Sequence, residues 1–331
     1  MKKIVKPLSI VLFFFLLQQN IFAQNDNNND NNKKYEFVKN KSVNKSYNVS
    51  TSDKLNIDNS FGEVEVHTWN KNEIKVDVSI EVSANVESLA QKMIDGITVA
   101  DSRSGNEVVF KTTIKGTNNS KKEKSTMKVN YQISMPASNP LEIVNQFGAT
   151  IVPDFKGEVD LTSKFGSLTT GSLSNVKSVD VEFGKAKIES AANGSISIKY
   201  SSAEIDKLVG NVKLDIEFSS PTKINFDNNL TGLNANVSYS TINLKPVGDV
   251  SASYNISTSF GNFKNRSSIK FDSDEDDDDN KGPKFDHNYN GKSGNGSVPV
   301  RINSSFGKVI LGEASNDDMK DKENSKGKVS S

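Results

Sequence analysis

From Leu55 onward apolar residues occupy every second position over long stretches: Leu55 and Ile57, then Val64 and Val66, then Ile74, Val76, Val78, Ile80 and Val82. A period of two puts one face of a strand on a core and the other toward water, so these stretches predict strands, with order beginning near Tyr35. One segment changes period. Val86, Leu89, Ala90, Met93 and Ile94 recur at helical spacing, predicting a helix near 86–95 with Asn85 as N-cap and Gly96 as a left-handed stop. Strands are expected again at Ile97–Ala100, Val108–Ile114 and Met127–Met135, with the polar Gly116–Lys124 as a hairpin loop.

Beyond Leu141 the chain repeats. An aromatic residue followed by Gly or Ser recurs at Phe147, Phe165, Phe183, Tyr200, Phe218, Tyr239 and Phe260, at spacings of 18, 18, 17, 18, 21 and 21 residues. Phe61-Gly62 and Phe306-Gly307 belong to the same set. A repeat of this length cannot cover its own apolar face, so neighbouring copies must stack. The expected architecture is all-β: a right-handed parallel β-solenoid (β-helix) of about 18–21 residues per coil, preceded by a β-rich part with one short helix. The aromatics are expected to point inward as a core ladder, each followed by a glycine at positive φ. On that reading Phe183→Ala opens a core cavity costing about 3–5 kcal/mol.

Composition changes the picture at the ends. Residues 1–23 read as a secretory signal peptide, with Lys2, Lys3 and Lys6 before the apolar run Leu8–Leu17 and Ala23 before the cut. That run is half the roughly 20 residues a spanning helix needs, and no later stretch is apolar enough, so no transmembrane segment is expected after cleavage. Residues 24–34 form an Asn/Asp-rich disordered tether, 35–140 the N-terminal β-rich region, 141–313 the repeats, and 314–331 a disordered tail. The repeats are interrupted at 271–296 by an acidic and glycine-rich loop.

The full chain carries 41 basic and 41 acidic residues, and losing the three leader lysines leaves 38 against 41. Seven of the acids lie in Asp272–Asp279, so the rest of the exported chain is mildly basic, 38 against 34. That balance argues against nucleic acid as a partner.

Candidate chemistry is sparse. There is no cysteine, which excludes disulfides, zinc-thiolate sites and thiol nucleophiles. The two histidines, His67 at an outward strand position and His287 in the expected loop, cannot form a multi-histidine metal site. Counted from Asp272, the sixth and twelfth residues are Asp277 and Pro283, where a calcium loop of the EF-hand type needs Gly and Glu. Diffuse cation binding remains open there, against plain solubilising disorder. Glu182, Asp206, Asp215 and Glu217 read as scattered outward acids, not as the paired carboxylates of a β-helix polysaccharide lyase or hydrolase. Trp69 and the tyrosines are candidates for sugar stacking, although most repeat aromatics fit the core pattern. No catalytic, cofactor-binding or metal-ligating residue is assigned, and no cofactor is implied.

The segments KLNIDNSFGEVEVHTWNKNEIKVDVSIE (54–81), YQISMPASNPLEIVNQFGATIV (131–152), SKFGSLTT, VEFGKAKI, VSYSTINL and SSFGKVIL together resemble a Bacteroidetes-type family of β-strand-repeat, adhesin-like proteins, similar to auto-transporter adhesin head domains. The resemblance spans about residues 35–313 and implies a β-solenoid but carries no site residue. The expectation is an exported, non-enzymatic scaffold or binding surface of the periplasm or cell surface, with a cell-envelope glycan or protein as the class of partner. A β-helix polysaccharide-degrading enzyme and an envelope signalling accessory protein are the alternatives.

Overall fold

The computed structural model describes residues 35–116, 122–273 and 285–319. The expected leader, the tether, residues 117–121 of the hairpin loop, residues 274–284 of the acidic insertion and residues 320–331 lie outside them.

The described residues form one unit, all-β apart from a single helix. β1 (Phe37–Asn48) precedes a first rung, β2 (Lys54–Ser60) and β3 (Val64–Trp69), which flank Phe61-Gly62. β4 (Glu73–Ala84), α1 (Glu87–Gly96), β5 (Ile97–Ser104), β6 (Glu107–Ile114) and β7 (Ser125–Pro136) make an excursion. The next rungs are built from β8 (Leu141–Gln146), β9 (Ala149–Val152), β10 (Phe155–Lys164), β11 (Ser167–Glu182), β12 (Lys185–Ala192), β13 (Ser195–Lys199), β14 (Ser202–Glu217), β15 (Thr222–Ser238) and β16 (Thr241–Pro246). β17 (Ala252–Ser259), β18 (Asn262–Arg266), β19 (Phe271–Ser273), β20 (Asp286–Lys292), β21 (Val298–Ser305) and β22 (Lys308–Gly312) complete the chain.

Pairing through the repeats is parallel. Val159 lies on Leu141, Val179 on Leu161, Ile196 on Val179, Leu214 on Ile196 and Ala235 on Leu214. These offsets of 18, 18, 17, 18 and 21 residues are the aromatic spacings of the sequence. Like residues therefore sit on like residues, and the alternating Val, Ile and Leu positions merge into one continuous buried core. β-Branched side chains suit that pleated, two-neighbour environment.

The first rung joins the same stack across the long excursion: β2 pairs in parallel with β8 and β3 with β9. On the opposite side of that rung, β6 pairs with β2 and β7 with β3. Antiparallel β4, β1 and β5 then close this end, with α1 packed beneath its buried Leu89, Ala90, Met93 and Ile94. The helix is placed as its period predicts, but its ends differ. Val86 occupies the N-cap with no side-chain bond, while Asn85 bonds the Lys122 carbonyl and the Lys124 N–H, tying the helix entry to the neighbouring loop. Gly96 makes no left-handed stop, because the chain runs straight into β5.

Buried polar groups at this end satisfy one another. Asn59 donates to the Asn145 side chain and the Val129 carbonyl, and Asn145 donates to the Gly62 and Ala149 carbonyls. Thr112 links Asn59 to the Tyr131 hydroxyl, whose pKa burial pushes up to about 12.

The far end departs from chain order. Val298–Leu311, expected to form the last rung, is wedged between earlier ones: β21 pairs with β15 on one side and β17 on the other, as β22 does with β16 and β18. β20 adds antiparallel to β17, with β19 beyond it, so His287 lies on a strand rather than in a loop. Residues 315–319 are held against this end of the stack. Asp318 is buried, with its carboxylate on the fork of Arg266 (Nε 3.0 Å, Nη2 3.1 Å), on Lys264 and on the Ser315 N–H.

Arg266, then Lys264, hold the Asp318 carboxyl well below the usual carboxylate range. A carboxyl whose folded pKa is depressed stabilises the fold above its unfolded value, about 3.9, and loses that contribution as pH falls toward the folded value. At pH 7, Asp318→Asn is expected to free residues 315–319, raising amide exchange there and in β18. At pH 2.5 the difference from the parent should shrink. Equal exchange in both proteins at pH 7 would remove the latch.

Candidate functional site

The repeat aromatics are not in the core. Phe61, Phe147, Phe165, Phe183, Tyr200, Phe218, Tyr239, Phe260 and Phe306 are all exposed, Phe183 by 48%. Each also has positive φ, between 47° and 64°. The inward ladder and the positive-φ glycine of the sequence reading are both corrected by this geometry. Alternation runs inward through Val159, Leu161 and Ser163, and the left-handed residue then turns Phe165 outward before Leu168 resumes the inward phase.

The residue after the aromatic is small because of packing, not torsion. A Cβ on Gly148 would sit 1.8 Å from the Gly62 carbonyl oxygen, one on Gly166 1.9 Å from that of Gly148, and one on Gly184 2.1 Å from that of Gly166. Where serine replaces glycine, the hydroxyl joins the stack. The Ser201, Ser219 and Ser240 hydroxyls accept from the N–H groups of Gly184, Ser201 and Ser219 at 3.0, 3.1 and 2.9 Å. Each also donates to the carbonyl two residues earlier, on Lys199, Glu217 and Ser238. The aromatic corner itself is paired between rungs, as Phe165 N–H donates to the Glu182 carbonyl at 2.9 Å.

Left-handed backbone costs an L-residue roughly 1–2 kcal/mol, more conspicuously so for a bulky side chain. Stacking helps to offset it. The rings follow in the order Phe61, Phe147, Phe165, Phe183, Tyr200, Phe218, Tyr239, Phe306, Phe260, Phe285, with centroids 4.8–5.1 Å apart. Stacked aromatic pairs contribute about 0.5–1.5 kcal/mol each. The nine steps make a ridge about 44 Å long. With each ring about half exposed, it shows solvent on the order of 1,000 Å² of apolar surface, beyond the largest patch usual on a monomer. Ring faces turn toward one another, so ring edges form the outer surface.

Charge flanks one side of the ridge. The residues just before the rings, Lys164, Glu182, Lys199 and Glu217, lie in register on successive rungs. Lys164 bridges Glu182 at 2.9 Å and Lys199 bridges Glu217 at 3.3 Å, and the bond to Glu217 raises the Lys199 pKa. Sequence reasoning treated these acids as scattered. The alternating K-F-G, E-F-G, K-Y-S and E-F-S tetrad was the available signal. Asp215 lies 4.0 Å from Lys199, and Asp206 is exposed on β14. The opposite flank is mostly small in the middle of the ridge: Ala149, Ser167, Ser202, Ser220 and Thr241 follow the rings two residues on, with Lys185 after Phe183 and Glu63 and Lys308 toward the ends.

The other candidates stay apart from the ridge. His67 is exposed beside Glu65, and Trp69 donates to the Glu73 carbonyl beneath the Lys71 ammonium. Tyr131 and Tyr254 are buried, while Tyr200 and Tyr239 belong to the ridge. Among the described residues no three His, Asp or Glu side chains converge as a metal site, and no helix is long and apolar enough to cross a membrane. The centre of the acidic run lies outside the described residues.

No family model matches the chain, and no curated protein does. Among solved structures, a candidate adhesin of Bacteroides fragilis aligns over 82% of this chain and 97% of its own at 13% identity, with a TM-score of 0.39. A candidate cell-adhesion protein of Clostridium sporogenes aligns over 83% and 100% at 11% identity, with a TM-score of 0.25. A candidate lipid-binding protein of Parabacteroides distasonis aligns over 82% and 97% at 10% identity, with a TM-score of 0.28. At such scores the functional reading rests on the residues of the chain itself.

Proposed function

We propose that the chain is an exported, non-enzymatic, right-handed parallel β-solenoid of the cell envelope, at the periplasm or cell surface, acting as a scaffold or adhesin-like contact protein through its aromatic ridge. Repeat-length parallel offsets support the solenoid, and the leader-like residues 1–23 support export. The observation that carries the functional reading is the ridge itself: ten exposed rings, nine of them on left-handed backbone. Local strain repeated at solvent-exposed apolar residues points to a surface kept for contact. Because ring edges rather than faces are displayed, an apolar protein surface fits the ridge better than a sugar that needs a ring face.

Glycine is the substitution that removes a ring without imposing a left-handed penalty. A Phe165→Gly, Phe183→Gly, Tyr200→Gly triple variant is therefore expected to stay folded by circular dichroism. It should lose at least tenfold in affinity for whatever the exported protein retains on glycan arrays or envelope fractions, or in self-association. A triple variant equal to the parent in all three assays would overturn the contact role.

Phe183 is only half covered, so Phe183→Ala should cost about 1–2 kcal/mol, chiefly through lost stacking and partial burial. Phe183→Gly should cost less than the alanine variant because it removes the strain. Denaturant titration of the two checks the order, and a loss above about 3 kcal/mol for Phe183→Ala would restore a core role.

A further inference from the structure

We infer that the occupant of the ridge is the ridge of a second copy of this chain, docked antiparallel about a two-fold axis that crosses the ridge between Phe183 and Tyr200. This rests on reading the ridge as a contact surface, and it names the partner.

The charge row selects the arrangement. Read along the stack it is Lys164, Glu182, Lys199, Glu217, spaced one rung apart. Reversing this row exchanges every base for an acid. A two-fold axis lying in the contact plane, perpendicular to the ridge, places the row against its own reverse. Lys164 then meets Glu217 of the second copy, and Glu182 meets its Lys199. A parallel arrangement about the ridge axis would set this row against the opposite flank, where Lys185 complements Glu182 but Ser167, Ser202 and Ser220 leave Lys164, Lys199 and Glu217 without an opposite charge, one pair per row against four. In the antiparallel arrangement Lys185 faces Ser202, and at the ends of the overlap Glu63 faces Lys308, so the flank brings no like charges together. A C2 contact must be self-complementary in this sense.

The size agrees. With the axis between Phe183 and Tyr200, the four rings Phe61, Phe147, Phe165 and Phe183 face Phe306, Tyr239, Phe218 and Tyr200 in that order, so eight rings of each copy overlap. About half of each ring surface is available, giving roughly 800 Å² per partner, the scale of a standard stable interface. The centre is apolar and aromatic and the rim carries paired charge, which is the usual anatomy of such contacts. The axis sets ring edge against ring edge, and because both rows share the same 4.8–5.0 Å repeat the contact keeps its register along its length.

Sedimentation velocity on the exported chain at micromolar concentration should give twice the chain mass. Two row variants separate the arrangement from mere stickiness. Glu182→Lys with Glu217→Lys makes the row wholly basic, and Lys164→Glu with Lys199→Glu makes it wholly acidic. Each alone should be at least tenfold weaker in self-association, and mixing the two should restore the dimer. A dimer that survives in both separate variants, or a mixture that stays monomeric, overturns the antiparallel pairing. A parent chain that is monomeric at 100 μM overturns the homotypic inference. The ridge would still stand as a contact surface if the triple glycine variant then lost binding to an envelope component.

Discussion

Gly166→Ala is expected to destabilise the protein by about 3 kcal/mol or more, lowering the melting temperature by roughly 10 °C. The added methyl would lie 1.9 Å from the Gly148 carbonyl oxygen, and the obstacle is backbone on a neighbouring rung, not a flexible side chain. Relief requires the two rungs to separate, yet their spacing is set by the parallel hydrogen bonds of β9, β11 and β12. Gly116→Ala is the control. A Cβ there meets nothing within 4 Å, so its effect should stay within about 0.5 kcal/mol. Equal melting temperatures for the two variants would show that the rungs tolerate displacement and that the glycine stack is incidental.

Ile302→Asp should be at least as damaging, and its effect should spread in a particular way. Ile302 is fully buried between Ala235 and Ile256. An unpaired carboxylate there costs several kcal/mol, or else protonates at comparable expense. Because β21 is, among the described residues, the only parallel neighbour of β17, the damage should not stop at residues 298–312. Hydrogen exchange should report lost protection in both Val298–Gly312 and Ala252–Arg266, while β10–β14 remain protected, as nearest-neighbour stability predicts. Protection retained at 252–266 would mean that β17 stacks directly on β15 once the wedge is lost.

Much of this fold is legible in the spacing of its residues. Like residues recurring at 17–21 positions had to stack, and the parallel partners of Val159, Val179 and Leu214 follow that spacing. The helix was equally plain from Leu89, Ala90, Met93 and Ile94. The direction of the aromatics was not legible, because a single left-handed residue shifts the alternation of all that follows. Bulky residues rarely adopt that conformation, so the prior favoured glycine for it. One clue did exist: Phe165 is in phase with Val159 and Leu161 before it but out of phase with Leu168 after it, so the alternation breaks at the ring. The charge row was missed for a different reason. Lys164, Glu182, Lys199 and Glu217 are 17 or 18 residues apart and become neighbours only once the rungs are set in register. Position in the stack was also hidden at the C-terminal end, since Phe306 carries the same signature whether it lies outermost or between two older rungs.

That last placement bears on how the molecule is made. As the chain emerges, β17 and β18 follow β15 and β16 and present the same aromatic signature, so Phe260 can settle temporarily on Tyr239. Residues 298–312 come later in the chain and belong in that very gap. Completion therefore requires an already associated pair of rungs to part, or to have waited, until residues 298–312 have been made. Growth from one terminus to the other, the simplest assembly route for stacked repeats, is closed to this protein at its final step.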